Sequence, residues 1–269
     1  MSSATSRVPS IAISSASSGN PYETDKLLNE YLLFHYGGRE EVLPFPQGPV
    51  EALHYPVRCV HQCLDLAALP SNARALDLGC AVGRSTFELA KHCTQVVGID
   101  YSQRFVAAAE TVRATGSLPY MRLDEGRLLT PLMAVRPAEV EAARVQFEQG
   151  DAMALRADLG VFDVVLMANL IDRLSHPARC LQQLSGLIRS GGQLVVTSPY
   201  TWMDDYTSPE HWLGGFEEAG ERRTTLQGLH LYLDPNFELK RTLDLPFLIR
   251  EHARKYQWSV AQASVWRRR

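Results

Sequence analysis

Hydrophobic positions along the chain follow two alternating rhythms. Runs of strand length occupy residues 74–78, 95–99, 145–148, 162–168 and 193–198. Those at 74–78, 162–168 and 193–198 are apolar almost throughout, as suits strands buried on both faces. Between the runs the spacing turns helical, over residues 84–92, 102–114 and 177–189. In the second of these Ser102 is a plausible cap and Phe105, Val106, Ala109 and Val112 form the inward stripe. Gly191-Gly192 reads as the stop of the third. Strands alternating with helices at this spacing predict an open, mostly parallel α/β sheet.

The flanks keep a different pattern. A helix is predicted from Tyr22, with Thr24 as cap, Asp25 in the first turn and Leu27, Leu28, Tyr31, Leu32 and His35 along one face. Gly37-Gly38 ends it. Pro44, Pro46 and Pro49 mark a loop, and a second helix is predicted over 56–66. This helical part, residues 20–69, either covers the sheet or closes over a site, with Tyr22, Tyr31 and His35 near the ligand. Residues 116–144 read as an insertion broken by Gly116, Pro119, Pro131 and Pro137, with a short helix over 138–144. Residues 199–229 read as an aromatic excursion, followed by a helix over 226–234. Strand candidates at 243–250 and 258–266, joined by a short link, predict antiparallel neighbours. The chain reads as one domain, 20–269, behind a Ser- and Ala-rich disordered tail, 1–19.

Composition narrows the function. The 269 residues are 45% hydrophobic with a formal net charge of −3. That balance gives no basis for a nucleic-acid or anionic-membrane partner. No run approaches the roughly 18 apolar residues of a membrane span. Five scattered cysteines do not suggest a disulfide framework and point to a reducing, cytoplasmic compartment. No ordered set of metal ligands is visible.

The candidate chemistry gathers where the first apolar run ends. Asp77 is followed by Gly79-Cys80-Ala81-Val82-Gly83, and a helical pattern starts at once. A glycine turn between strand and helix lets backbone approach a ligand and aims N–H groups at it. A dinucleotide fold wants Gly-x-Gly-x-x-Gly, but Ala81 takes the middle position and Asp77 repels phosphate. Asp77 and the turn instead suit an ammonium and a carboxylate. Asp100, at the end of the second run, suits two ribose hydroxyls, with Tyr101 beside the adenosine. Asp151 and Ala152, after the third run, suit an adenine. Adenine, ribose and an amino-acid tail together describe S-adenosylmethionine.

Over about residues 70–266 these features resemble the class I S-adenosylmethionine-dependent methyltransferases. The resemblance implies a Rossmann-like α/β fold: a mostly parallel seven-stranded sheet with an antiparallel C-terminal strand, here with an N-terminal helical extension. A closer resemblance lies in Asn20 to Lys26, Tyr31 to Gly37, Phe147 to Ala152, Ala168 to Leu174, Thr197 to Trp202 and Trp212 to Phe216. These segments are similar to the methyltransferases of ovothiol biosynthesis. That family implies a small amino-acid substrate and methyl transfer to a ring nitrogen of 4-mercaptohistidine (5-thiohistidine). The family's domain is often fused behind an iron-dependent sulfoxide synthase; here it would stand alone and act with a separate one.

Candidate acceptor-side residues follow. Asn169 and Asp172 lie just past the fourth strand, where Asn169 could touch cofactor or acceptor. Asp172 could instead cap the loop and pair with Arg173. His35 is the candidate base, and Tyr31 a second catalytic candidate. Tyr22, Tyr31, Arg173, Tyr200, Trp202, Asp204 and Arg250 form the pool for a zwitterionic substrate, although a Trp-rich excursion often only packs over a sheet. Within the small-molecule class the runner-up is methylation of another imidazole or thiol metabolite, and two other readings compete with the small-molecule enzyme. One is a non-catalytic cofactor-binding module. The other is a nucleic-acid methyltransferase, for which an Asn-Pro-Pro-Tyr motif is missing.

Overall fold

The computed structural model describes residues 21–269, so the predicted tail at 1–19 lies outside the described residues. Helix α1 (Asp25–Tyr36) is capped by Thr24, whose hydroxyl accepts the Leu27 N–H at 3.3 Å. A short α2 (Arg39–Val42) and α3 (Tyr55–His61) follow. Helix α3 starts one residue before the prolyl start expected and stops five residues short of 66, where a separate single turn begins.

The alternating core comes next: β1 (Arg74–Leu78), α4 (Arg84–Leu89), β2 (Gln95–Asp100) and α5 (Gln103–Thr115). Ser102 caps α5 as expected, accepting the Phe105 N–H at 3.2 Å. Residues 116–144 correct the sequence reading. They form a hairpin of β3 (Ser117–Glu125) and β4 (Leu128–Val135), and only one 3-10 turn, Ala142–Arg144, stands where a helix was expected. Pro119 lies opposite Met133 and Pro131 opposite Met121. In a two-stranded ladder each strand is an edge, so a proline can occupy an outward-facing position without losing a ladder bond.

β5 (Val145–Gln149), β6 (Phe162–Ala168), α6 (Pro177–Leu187) and β7 (Ile188–Ser198) complete the parallel part. Gly191-Gly192 does not end α6. It sits inside β7, where the register against β6 jumps from Phe162↔Ile188 to Val164↔Gln193. The excursion then holds a small hairpin of β8 (Phe216–Glu218) and β9 (Glu221–Arg223), and α7 (Thr225–Leu233). The chain closes with β10 (Phe237–His252) and β11 (Lys255–Arg268), both longer than predicted.

The main sheet has the order β10-β11-β7-β6-β1-β2-β5. Only β11 runs against its neighbours. This is the expected Rossmann-like architecture. Alternate residues of each central strand enter two separate cores. Ala75, Val164 and Val195 pack with α3, α4 and α5. Leu76, Val165 and Val196 pack with α6 and α7. That double burial is why these strands read as unbroken apolar runs. The chain builds outward from β1 to β2 and β5, then returns to β6 and β7 on the other side. The carboxyl ends of β1 and β6 therefore flank a switch point, where open α/β sheets place their ligands.

Candidate active site

The turn after β1 is held by its neighbours before any ligand arrives. The Gly79 and Cys80 N–H groups both donate to Ile99 O, at 2.8 and 3.1 Å, and Gly83 N–H donates to Cys80 O at 2.9 Å. The cradle of free N–H groups expected from the sequence is thus largely used in shaping the turn itself. Gly83 has φ +86°, and a Cβ there would stand 2.5 Å from the Phe147 ring. Ala81 also takes the left-handed region, at φ +47°, although it carries a side chain. Cys80 is buried, so its part in the turn is played by the backbone.

Three carboxylates stand at the carboxyl ends of the neighbouring strands β1, β2 and β5. Asp77 is fully buried. Its Oδ2 accepts the Ser85 and Thr86 hydroxyls, each at 2.7 Å, while its Oδ1 has no partner among the described residues. Asp100 accepts the Ala81 N–H on Oδ2 and the Ser102 N–H on Oδ1, both at 2.8 Å. Burial pushes both acids up to about 6, against the pull of the groups that donate to them. Asp151, at the end of β5, accepts the Met153 N–H on Oδ1 at 2.8 Å. Ala152 packs into the core beside it. The Tyr101 ring is two-thirds exposed at the rim of the Asp100 corner.

Helix α1 sits over the turn. Tyr36 OH donates to Val82 O at 2.7 Å, and Ser102 Oγ donates to Tyr22 O at 3.4 Å. The Tyr22 and Tyr31 rings meet edge-on at 5.9 Å, and both contact Phe105. Tyr206, from the excursion, closes on Tyr22 at 6.4 Å, and the Arg173 guanidinium lies 4.9 Å from the Tyr206 ring centre. Tyr22, Tyr31 and Arg173, widely separated in sequence, therefore share one cluster. Burial pushes the Tyr31 hydroxyl up to about 12, with the Asp100 carboxylate adding to it, and raises Tyr22 further. Both remain neutral phenols near neutral pH. Burial works against the Arg173 charge, but Asp172 and the neighbouring tyrosines more than restore it.

Several expected roles are corrected here. His35 is buried in an aromatic stack with Tyr31, Phe34 and Tyr36. Burial, with Arg84 adding to it, pushes it down to about 3, too weak a base for neutral pH. Asp172 is fully buried and serves the loop: its Oδ2 accepts Arg173 Nη1 and the Thr201 N–H, both at 3.0 Å. Trp202 packs against Trp212, and its ring N–H donates to Thr225 Oγ1 at 2.9 Å, so its indole braces α7. Tyr200 gives its hydroxyl to Gln262 at 3.0 Å, and Asp204 is exposed to solvent.

Asn169 keeps its position at the carboxyl end of β6, with φ +52°. Its partners carry little sequence signal. Tyr55 OH, from α3, donates to Asn169 Oδ1 at 2.8 Å and lies 2.7 Å from Thr197 Oγ1. Phe34 and Phe247 wall this trio, at 5.9 and 5.0 Å from the Tyr55 ring. A cavity of about 220 Å³ beside Asp163, Arg189 and Arg267 opens at the other, amino ends of the strands and is unconnected with these groups. Among the described residues no group of three or more His, Cys, Asp or Glu is placed to hold a metal, and no helix is long and apolar enough to cross a membrane.

Comparison with known proteins agrees with this geometry. Residues 76–196 match a family model described as a methyltransferase domain. A ubiquinone biosynthesis O-methyltransferase of Coxiella burnetii is 22% identical over 230 residues, which cover 76% of this chain and 87% of that protein. A 2-methyl-6-phytyl-1,4-hydroquinone methyltransferase of Synechocystis is 27% identical over 235 residues, covering 87% of this chain and 63% of that one. The solved structure of the N-methyltransferase NodS from Bradyrhizobium japonicum, in complex with S-adenosyl-L-homocysteine, shares the fold. Its TM-score is 0.50 at 15% identity, over 90% of this chain and 98% of that one.

Proposed function

We propose that this S-adenosylmethionine-dependent methyltransferase methylates an imidazole ring nitrogen of 4-mercaptohistidine (5-thiohistidine) to give ovothiol. The observation that carries the acceptor is convergence. The segments resembling ovothiol methyltransferases supply Tyr22, Tyr31, Asn169 and Arg173, and these gather around the carboxyl ends of β1 and β6.

The cofactor fits the corner by the chemistry of the acceptors. Each Asp100 oxygen holds one backbone N–H and retains a lone pair, so the pair can take two ribose hydroxyls. Asp151 Oδ2 is left for the adenine amine, and the unpartnered Asp77 Oδ1 supplies negative charge toward an ammonium. When bound, S-adenosylmethionine offers a methyl group on a sulfonium, open to in-line displacement.

The protein's own residues then align the acceptor, and positioning of this kind can lower a barrier by about 7 kcal/mol or more. Arg173 is the cation for the substrate carboxylate. The tyrosine rings present π faces that suit a sulfonium. His35 stays neutral and does not take the ring proton. The site instead selects the tautomer whose free nitrogen lone pair faces the methyl group. On this reading an iron-dependent sulfoxide synthase provides the carbon–sulfur bond that the substrate carries.

The test is turnover of labelled S-adenosylmethionine with 4-mercaptohistidine, histidine, histamine and a catechol. Methylation of the thiohistidine alone is expected. Equal methylation of histidine would sink the substrate assignment. Preference for the catechol would support the second reading, O-methylation, which the name of the Coxiella relative favours.

A further inference from the structure

Tyr55 lies on α3, outside every motif that marks the cofactor corner. It is 2% exposed, and Thr197 is fully buried. Its hydroxyl completes a closed triangle: 2.8 Å to Asn169 Oδ1 and 2.7 Å to Thr197 Oγ1, with Thr197 Oγ1 3.3 Å from Asn169 Oδ1. The Asn169 backbone is fixed as well, since its N–H donates to Thr197 O at 2.9 Å and to Thr197 Oγ1 at 3.2 Å. Asparagine is one of the few residues that tolerates the left-handed φ found there.

We infer that Tyr55 is a positioning residue: with Thr197 it locks the Asn169 amide so that only its NH2 group faces the acceptor, where it binds an anionic sulfur or oxygen. The 2.7 Å contact between the two hydroxyls takes one of their two protons and the other goes to the amide oxygen, which is thereby held on the Tyr55–Thr197 side, and an amide has no other acceptor atom. The free side of Asn169 is therefore a donor only. It cannot bind the nucleophilic ring nitrogen without blocking its lone pair, which leaves the thiolate or the carboxylate of the acceptor.

Strand order places this donor on the acceptor side. Asp151 ends β5, Asp100 ends β2 and the glycine turn ends β1, so adenine, ribose and amino-acid tail step across three adjacent strands. The next strand is β6, about 4.8 Å further on, and Asn169 is at its end. This placement rests on the proposed function in taking the acceptor to lie beyond the cofactor's amino-acid end.

The experiment is a cycle of Tyr55→Phe, Asn169→Ala and the double variant. Phenylalanine keeps the ring that Phe34 and Phe247 pack against, and Thr197→Val breaks the same triangle from β7. Each is assayed with whichever of 4-mercaptohistidine, 4-mercaptoimidazole, histidine and catechol the wild type turns over. Tyr55→Phe is expected to lower kcat/KM for the acceptor about tenfold to a hundredfold, the loss of a hydrogen bond to a charged group. S-adenosylhomocysteine affinity should change less than about twofold, and the double variant should be no worse than Asn169→Ala. Additive losses, a Tyr55→Phe enzyme within about twofold of wild type, or a loss confined to cofactor affinity would overturn the inference. Comparing 4-mercaptoimidazole with 4-mercaptohistidine separates thiolate from carboxylate. Failure to use 4-mercaptohistidine refutes the substrate assignment, whereas the cycle judges Tyr55 on any acceptor. A readout without turnover is the side-chain amide NMR pair of Asn169, assigned by its loss in Asn169→Asp. It should shift in Tyr55→Phe, and an unmoved pair also overturns the inference.

Discussion

Cofactor binding should depend on the ionisation of Asp100. Burial raises this carboxyl to about 6, although the Ser102 and Ala81 N–H groups pull the other way. A carboxyl raised above its unfolded value favours the protonated folded state. Its contribution to stability is complete at low pH and is lost as pH climbs from about 4 to about 6, a change of about 3 kcal/mol at most. Ribose hydroxyls donate to the carboxylate, so ligand binding reverses that preference and pulls the pKa down. At about pH 7.5 the group is already ionised; at about pH 5 roughly one molecule in eleven is, so affinity should fall about tenfold between them. Titration calorimetry with S-adenosylhomocysteine reads this directly, and near pH 6 it should also detect proton release, on the order of half a proton, on binding. Asp77 sits at about 6 for the same reason, so Asp100→Asn is needed to isolate one group. That variant should lose the Asp100 part of the slope and bind at least about tenfold more weakly at neutral pH. A wild-type affinity flat across this range, or a slope unchanged in Asp100→Asn, would refute the placement of the ribose.

Three further outcomes follow from local geometry. Ala81→Gly relieves a left-handed alanine at about 1–2 kcal/mol and gives back about 0.5–1 in chain entropy, so urea denaturation should show a protein from neutral to about 1.5 kcal/mol more stable; clear destabilisation would contradict the turn. Gly98→Ala would set a Cβ 2.7 Å from the Phe147 ring and 2.9 Å from Thr86 Oγ1. It should cost about 1–3 kcal/mol in the same assay and weaken cofactor binding, because α4 carries the corner. His35→Gln should leave the pH–rate profile unshifted, since the native ring already stays neutral down to about 3; loss of a limb near pH 6–7 would restore it as a base.

The sequence by itself determined the strand–helix alternation, the reversed last strand, the turn from Asp77 to Gly83, and Asp100 and Asp151 as carboxylates at strand ends. These are short-range properties. Burial on both faces imposes continuous apolar runs, and a strand ending in a glycine turn sets where an acid can project. The prolines of residues 116–144 misled because a breaker signal does not reveal whether a strand is central or an edge. What only the tertiary structure decided is which groups meet. Tyr55 and Asn169 lie 114 residues apart, and nothing local to either predicts their hydrogen bond. Trp202 and Thr225 are joined in the same way, which turned an expected substrate contact into a brace. His35 lost its expected role because a pKa depends on the desolvation and charge around the ring: Tyr31, Phe34 and Tyr36 of its own helix stack about it, and the charge of Arg84 comes from α4. Periodicity reports which face of an element turns inward. Partnership and burial belong to the space between elements, and they exist only once the chain has folded.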